Sequence, residues 1–178
     1  MKRLAFDDPG AFRRRWSHLS AAALRTEALR DPLLFAADHL PLEDRREGAI
    51  IVVAELTDTP NPVIIVIPDG PAAPEEETCL GLLAHVIAQL DAAVDEADPY
   101  EPYDAYSEDP DFRDGDSHAV RRMGVVPHRL GSPMIHDIDR RWIRALGLIS
   151  LALGIDSLGV LTRTRSGHLV RIPESAAA

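Results

Sequence analysis

The sequence predicts an α/β (α+β) fold, a mixed β-sheet flanked by helices, with a helical cap at the N-terminus. Three observations carry that expectation. Two β-branched runs, 49–54 and 63–67, are separated only by turn chemistry. Two longer stretches, beginning near residues 75 and 137, repeat apolar side chains at helical spacing. Further strand patterns follow each of those helices, so strands and helices alternate instead of segregating.

The first forty residues read as helices. Asp8-Pro9 and Asp31-Pro32 each pair an N-capping side chain with a proline at the first helical position. Phe12, Trp16 and Leu19 follow the first signal at helical spacing, and Ser20 caps a second helix with Ala23, Leu24, Ala28 and Leu29 inward. The run 49–54 is the composition of a buried strand, and 57–61, with Pro60, is a turn. The second buried strand, 63–67, is closed by Pro68-Asp69-Gly70, and the short connection predicts an antiparallel hairpin.

Glu75, Glu76 and Glu77 start the next helix by complementing its dipole, and Leu80, Leu83, Ala84, Ile87, Leu90 and Val94 form its apolar stripe. Residues 119–126 read as the third strand and 127–135 as a loop. Asp137 is the expected cap of a helix with Ile138, Trp142, Ala145, Leu146, Ile149 and Leu153 buried and Gly154 as its stop. Strands four and five, 157–164 and 168–172, are joined by Ser166-Gly167. The domain reading is a helical cap over 1–44, an α/β domain over 45–174 with an insert at 91–117, and a frayed tail over 175–178.

A chain of 178 residues with 46% apolar and 27% charged residues fits one globular domain and excludes disordered and fibrous classes. No apolar run reaches about 18 residues, so no membrane partner is expected. The N-terminus continues from its first positive charges into acids and proline, which is not the pattern of a secretory signal. A lone cysteine, Cys79, forms neither an internal disulfide nor a cysteine-based zinc site, and a cytoplasmic location is the expectation. Near a helix start its thiol pKa could be lowered, but flanking Thr78 and Leu80 favour a small side chain packed at the core edge.

The net charge of −10 is local. Residues 91–116 hold eleven acids and one base, Arg113, whereas eighteen acids and eighteen bases balance in the rest of the chain. Such a segment repels phosphate backbones, so nucleic acid is not the expected partner. The same stretch contains all three tyrosines, Tyr100, Tyr103 and Tyr106, with Pro99, Pro102 and Pro110 breaking regular structure. It reads either as a solvated loop or as a docking segment with aromatic anchors for a protein partner, and the acid row alone could mimic a nucleic acid. Arginine clusters at 13–15, 45–46 and 121–122 read as solvated faces.

No HExxH, Walker loop, GxGxxG or GxSxG occurs. The dense polar constellation is VVPHRLGSPMIHDIDRRW, residues 125–142, where His128, His136, Asp137 and Asp139 lie between a strand end and a helix start. Imidazole and carboxylate are the ligands zinc takes when cysteine is absent. Each residue also has a plainer reading: His128 as a loop-organising hydrogen bonder, Asp137 as the N-cap and Asp139 as a first-turn acid complementing the dipole.

This stretch resembles the JAB/MPN metallopeptidase-like fold, and the RadC-like group in particular, whose motif runs H-x-H-P-x-G-x-P-x-x-S-x-x-D after a strand. His128, Gly131, Pro133 and Asp139 fall at the spacing of the second His, the Gly, the following Pro and the Asp, with His136 in place of the Ser. The similarity covers about residues 45–173 and continues through a helix into LGIDSLGVLTRTRSGHLVRI. It implies a cytidine-deaminase-like α/β sandwich, with zinc held by two His and the Asp and a Glu acting on the metal-bound water. Glu47, before the first strand, matches the place of that Glu, with Glu55 as a rival. The chain departs from the motif where Val126 stands for the first His and Arg129 for the Pro.

A site short of one ligand implies a non-catalytic binding or scaffold module without a cofactor. The alternative is a zinc hydrolase of peptide or isopeptide bonds, with His128, Asp139 and His136 (or His118) as ligands and Glu47 or Glu55 as base. A third reading is an acidic interaction protein, or nucleic-acid mimic, of unrelated fold.

Overall fold

The computed structural model describes residues 29–39, 47–57, 59, 61–97 and 118–177, with positions 23 and 26 besides. Trp16, most of the expected N-terminal cap, and Tyr100, Tyr103 and Tyr106 lie outside the described residues.

The order is α1 (Pro32–His39), β1 (Ile50–Leu56), β2 (Val63–Ile67), α2 (Glu76–Ala97), β3 (Val120–Arg129), α3 (Asp137–Leu153), β4 (Asp156–Thr164), β5 (Leu169–Ile172) and a 3₁₀ turn (Glu174–Ala177). The five strands form one mixed sheet in the order β2-β1-β3-β4-β5. β1 pairs antiparallel with β2 and with β3, β3 parallel with β4, and β4 antiparallel with β5. The predicted mixed sheet with flanking helices is therefore present.

Helices cover both faces. On one, Val52, Val125 and Val160 pack with Leu83 and Ile87 of α2 and Trp142 and Leu146 of α3. On the other, Leu33, Ala36 and Ala37 of α1 cover Ile51, Val53, Val126 and Leu161. β1 is thus buried on both sides, which is why its sequence runs apolar without alternation. Each such side chain, fully buried, contributes about 1.5–3 kcal/mol. The caps follow local chemistry: Asp31 Oδ1 accepts from the Leu34 N–H at 3.1 Å, and Gly154 closes α3 at φ 67°.

Several details differ from the sequence expectation, among them Leu29 and Ala84, expected inward and exposed in the structure. β2 lies at the sheet edge and is only half-buried. β3 continues to Arg129, so Pro127 and His128 are strand residues and not loop; their register against Ile50 and Arg163 holds them there. The N-cap of α3 is His136, one residue before Asp137. Residues 175–177 of the tail expected to fray lie in the 3₁₀ turn, with Ala176 and Ala177 against the main core. The stretch Glu76–Asp95 of α2 is long and apolar enough to cross a membrane by length and composition. A count of uninterrupted apolar residues misses this; Cys79, Leu83, Val86, Ile87 and Leu90 on it pack into the core.

Candidate functional site

The polar constellation predicted at residues 125–142 is organised around Arg129, the last residue of β3. Its guanidinium is 4% exposed and faces Asp139 in the first turn of α3, which is 0% exposed. Nε donates to Asp139 Oδ1 at 2.9 Å and to Oδ2 at 3.2 Å, and Nη2 donates to Oδ2 at 2.7 Å. The remaining N–H groups gather the connecting loop: Nη1 donates to the carbonyls of Leu130 and Ser132, both at 3.1 Å, and Nη2 to that of Met134 at 2.6 Å. All five guanidinium donors are therefore used.

Asp139 is equally committed. Besides Arg129, Oδ1 accepts from Thr162 Oγ1 of β4 at 2.7 Å, and Oδ2 accepts from the His136 N–H at 2.8 Å. A carboxylate offers about four acceptor positions, and these bonds fill them. The sequence explains the geometry. Asp139 is three residues after the N-cap, where an acid reaches back to the cap N–H. Arg129 and Thr162 leave adjacent strands β3 and β4 on the face that α3 covers. Gly131, at φ 102°, turns the loop over this pair, and a Cβ there would lie 3.2 Å from the His136 ring.

The predicted ligands are not brought together. Val126 belongs to the core under α1, and His128, two residues on, leaves β3 on that same face. Its register partner Arg163 donates to the carbonyl of Ala37 in α1, which fixes the direction. Asp139 lies on the opposite face. His136 is directed at the loop, with Nε2 3.2 Å from Ser132 Oγ. His118 is at the far end of β3, its Nδ1 2.7 Å from Asp91 Oδ2 of α2. Glu47 is exposed on the turn before β1, beside Gly48, whose N–H donates to the His128 carbonyl. Glu55 Oε2 accepts from Arg121 at 3.1 Å and from Arg122 at 3.2 Å. Among the described residues no group of three or more His, Cys, Asp or Glu is arranged to hold a metal ion.

Zinc therefore does not fit these residues as arranged: the carboxylate it requires is closed by an internal cation, and the imidazole it requires is across the sheet. Sequence reasoning named Arg129 only as a departure from the motif. Its signal was present, because an arginine and an acid ten residues apart bracket a strand-to-helix loop whose carbonyls need donors.

Cys79 is fully buried against the core, as the packing reading anticipated. Burial pushes its thiol up to about 12, with nearby Arg141 opposing, so it is not an activated nucleophile. No family model matches the chain, and neither a curated protein nor a solved structure matches it.

Proposed function

We propose that the chain is a non-catalytic binding or scaffold module of the cytoplasm, built on a divergent JAB/RadC-like fold, that contacts a protein partner through the acidic segment 91–116. The observation that carries this reading is the closed Arg129–Asp139 pair. A guanidinium with all its donors used supplies the positive charge at the carboxylate, the place a metal ion would take. The element order supports the family assignment: a hairpin, a strand, the motif loop, a helix, and a strand-turn-strand ending.

The root of the acidic segment supports the partner assignment. Asp91 joins α2 to the start of β3 through His118 and through the Ala119 N–H at 2.9 Å, and the Ala119 carbonyl accepts from the Thr57 N–H at 3.0 Å. The points where the segment leaves and rejoins the domain are thus held together. The body is charge-balanced, so the segment supplies the negative charge, and Tyr100, Tyr103 and Tyr106 supply aromatic anchors.

The test compares full-length protein, a variant with residues 98–117 replaced by a short Gly/Ser linker, and Tyr100→Ala/Tyr103→Ala/Tyr106→Ala. Each is used as bait in cross-linking mass spectrometry, with the melting temperature measured in parallel. A partner cross-linked to the full chain and lost in both variants, with melting within about 2 °C of wild type, is the expected result. A partner retained by the linker variant contradicts the proposal.

A further inference from the structure

We infer that the cleft at the opposite end of β3 is a binding site for a small phosphate-bearing anion. The inference is independent of the partner proposed above. It starts from a break in strand alternation. Val120 and Met123 both belong to the core under α2 and α3, although they are three residues apart. A regular strand places such residues on opposite faces. The register resolves this: Glu55 is opposite Arg122 and Leu56 opposite Val120, so Arg121 is an extra residue in a β-bulge. The bulge leaves Arg121 and Arg122 together on the other face, where Glu55 meets both.

Glu55 Oε2 accepts one N–H from Arg121 Nη2 and one from Arg122 Nη1. Its side chain is 11% exposed, whereas those of Arg121 and Arg122 are 61% and 41% exposed. A nearly buried carboxylate thus orients two guanidinium forks that open to solvent. Among the described side chains that line the cleft, two positive charges face one negative. Each fork keeps unused donors among the described residues, since each has five and gives one to Glu55. Leu29, Thr59 and Asn61 complete a cleft of about 190 Å³.

That volume is below the roughly 300–1,000 Å³ of sites for drug-sized molecules, and suits one tetrahedral oxyanion with a short attachment. Two forks offer more donors than a single carboxylate can accept. A phosphate, with three terminal oxygens and up to two charges, can engage both.

The probe is inorganic phosphate, titrated into the ¹⁵N-labelled full-length chain and followed by amide and arginine side-chain shifts, with acetate titrated separately. Saturable shifts confined to Thr59, Asn61, Arg121 and Arg122 are expected. Arg121→Gln, at the most exposed of the cleft's charged side chains, is expected to weaken binding about tenfold, the effect of losing one charge-assisted contact. Arg140→Gln removes an exposed arginine paired with Asp137 elsewhere, and leaves the affinity unchanged. Shifts that do not saturate, an Arg121→Gln variant that binds as tightly as wild type, or equal weakening by Arg140→Gln overturns the site. Acetate binding as tight as phosphate overturns the assignment to phosphate.

Discussion

The two ends of β3 each place arginine against carboxylate, and they do opposite things. At the C-terminal end one guanidinium and one carboxylate are both buried, and loop carbonyls and Thr162 take up the remaining hydrogen-bonding capacity. At the N-terminal end two guanidinium groups share a single carboxylate oxygen and stay open to water. The residue types are the same. Stoichiometry and burial decide the outcome: the first arrangement organises a loop, and the second has donors left for a ligand.

The comparison can be broken most forcefully at the closed end. Arg129→Ala leaves Asp139 buried without its counter-charge and strips three loop carbonyls of their donor. A loss of about 3–5 kcal/mol in urea unfolding is expected, as for other broken buried pairs. Thr162→Val removes one bond to the same carboxylate and is expected to cost about 1.5–3 kcal/mol. At the open end, Glu55→Gln keeps an acceptor oxygen for exposed arginines, and less than about 1 kcal/mol is expected. Equal losses for Arg129→Ala and Glu55→Gln would erase the distinction between the two ends.

A separate effect, seen only at high pH, reports whether the face under α2 and α3 is dry. The folded Cys79 thiol is raised from 9.0 to about 12, so it stays protonated where the unfolded chain ionises. Its contribution is full below about pH 9 and falls as pH rises towards 12. Over that window wild-type stability is expected to decline more steeply than that of Cys79→Ala, measured by urea unfolding at stepped pH. Parallel slopes would mean that water reaches the thiol.

Much of the fold was legible because local chemistry and tertiary packing agree. The continuous apolar run of β1, the hairpin, the Asp31 cap and the Gly154 stop all follow from residue type. The site was less legible, for two reasons of strand geometry. Ending β3 at Val126 places His128 in a loop, where its side chain could face either way. Three more strand residues fix it on the Val126 face, across the sheet from Asp139. Likewise, adjacent arginines on a regular strand diverge, so Arg121 and Arg122 read as a solvated face until the bulge brings them together. Both features depend on pairing with distant strands, which no local window contains. Arg129 was visible as a motif departure, but its role required Asp139 and Thr162 to be packed beside it.

The central claim is that an internal guanidinium, and not a metal ion, holds the loop between β3 and α3. It is tested most directly by native mass spectrometry of untagged protein dialysed against zinc, beside Asp139→Asn and His128→Ala. The account predicts no stoichiometric zinc on the wild-type chain. About one zinc per chain, lost in both variants, would contradict it.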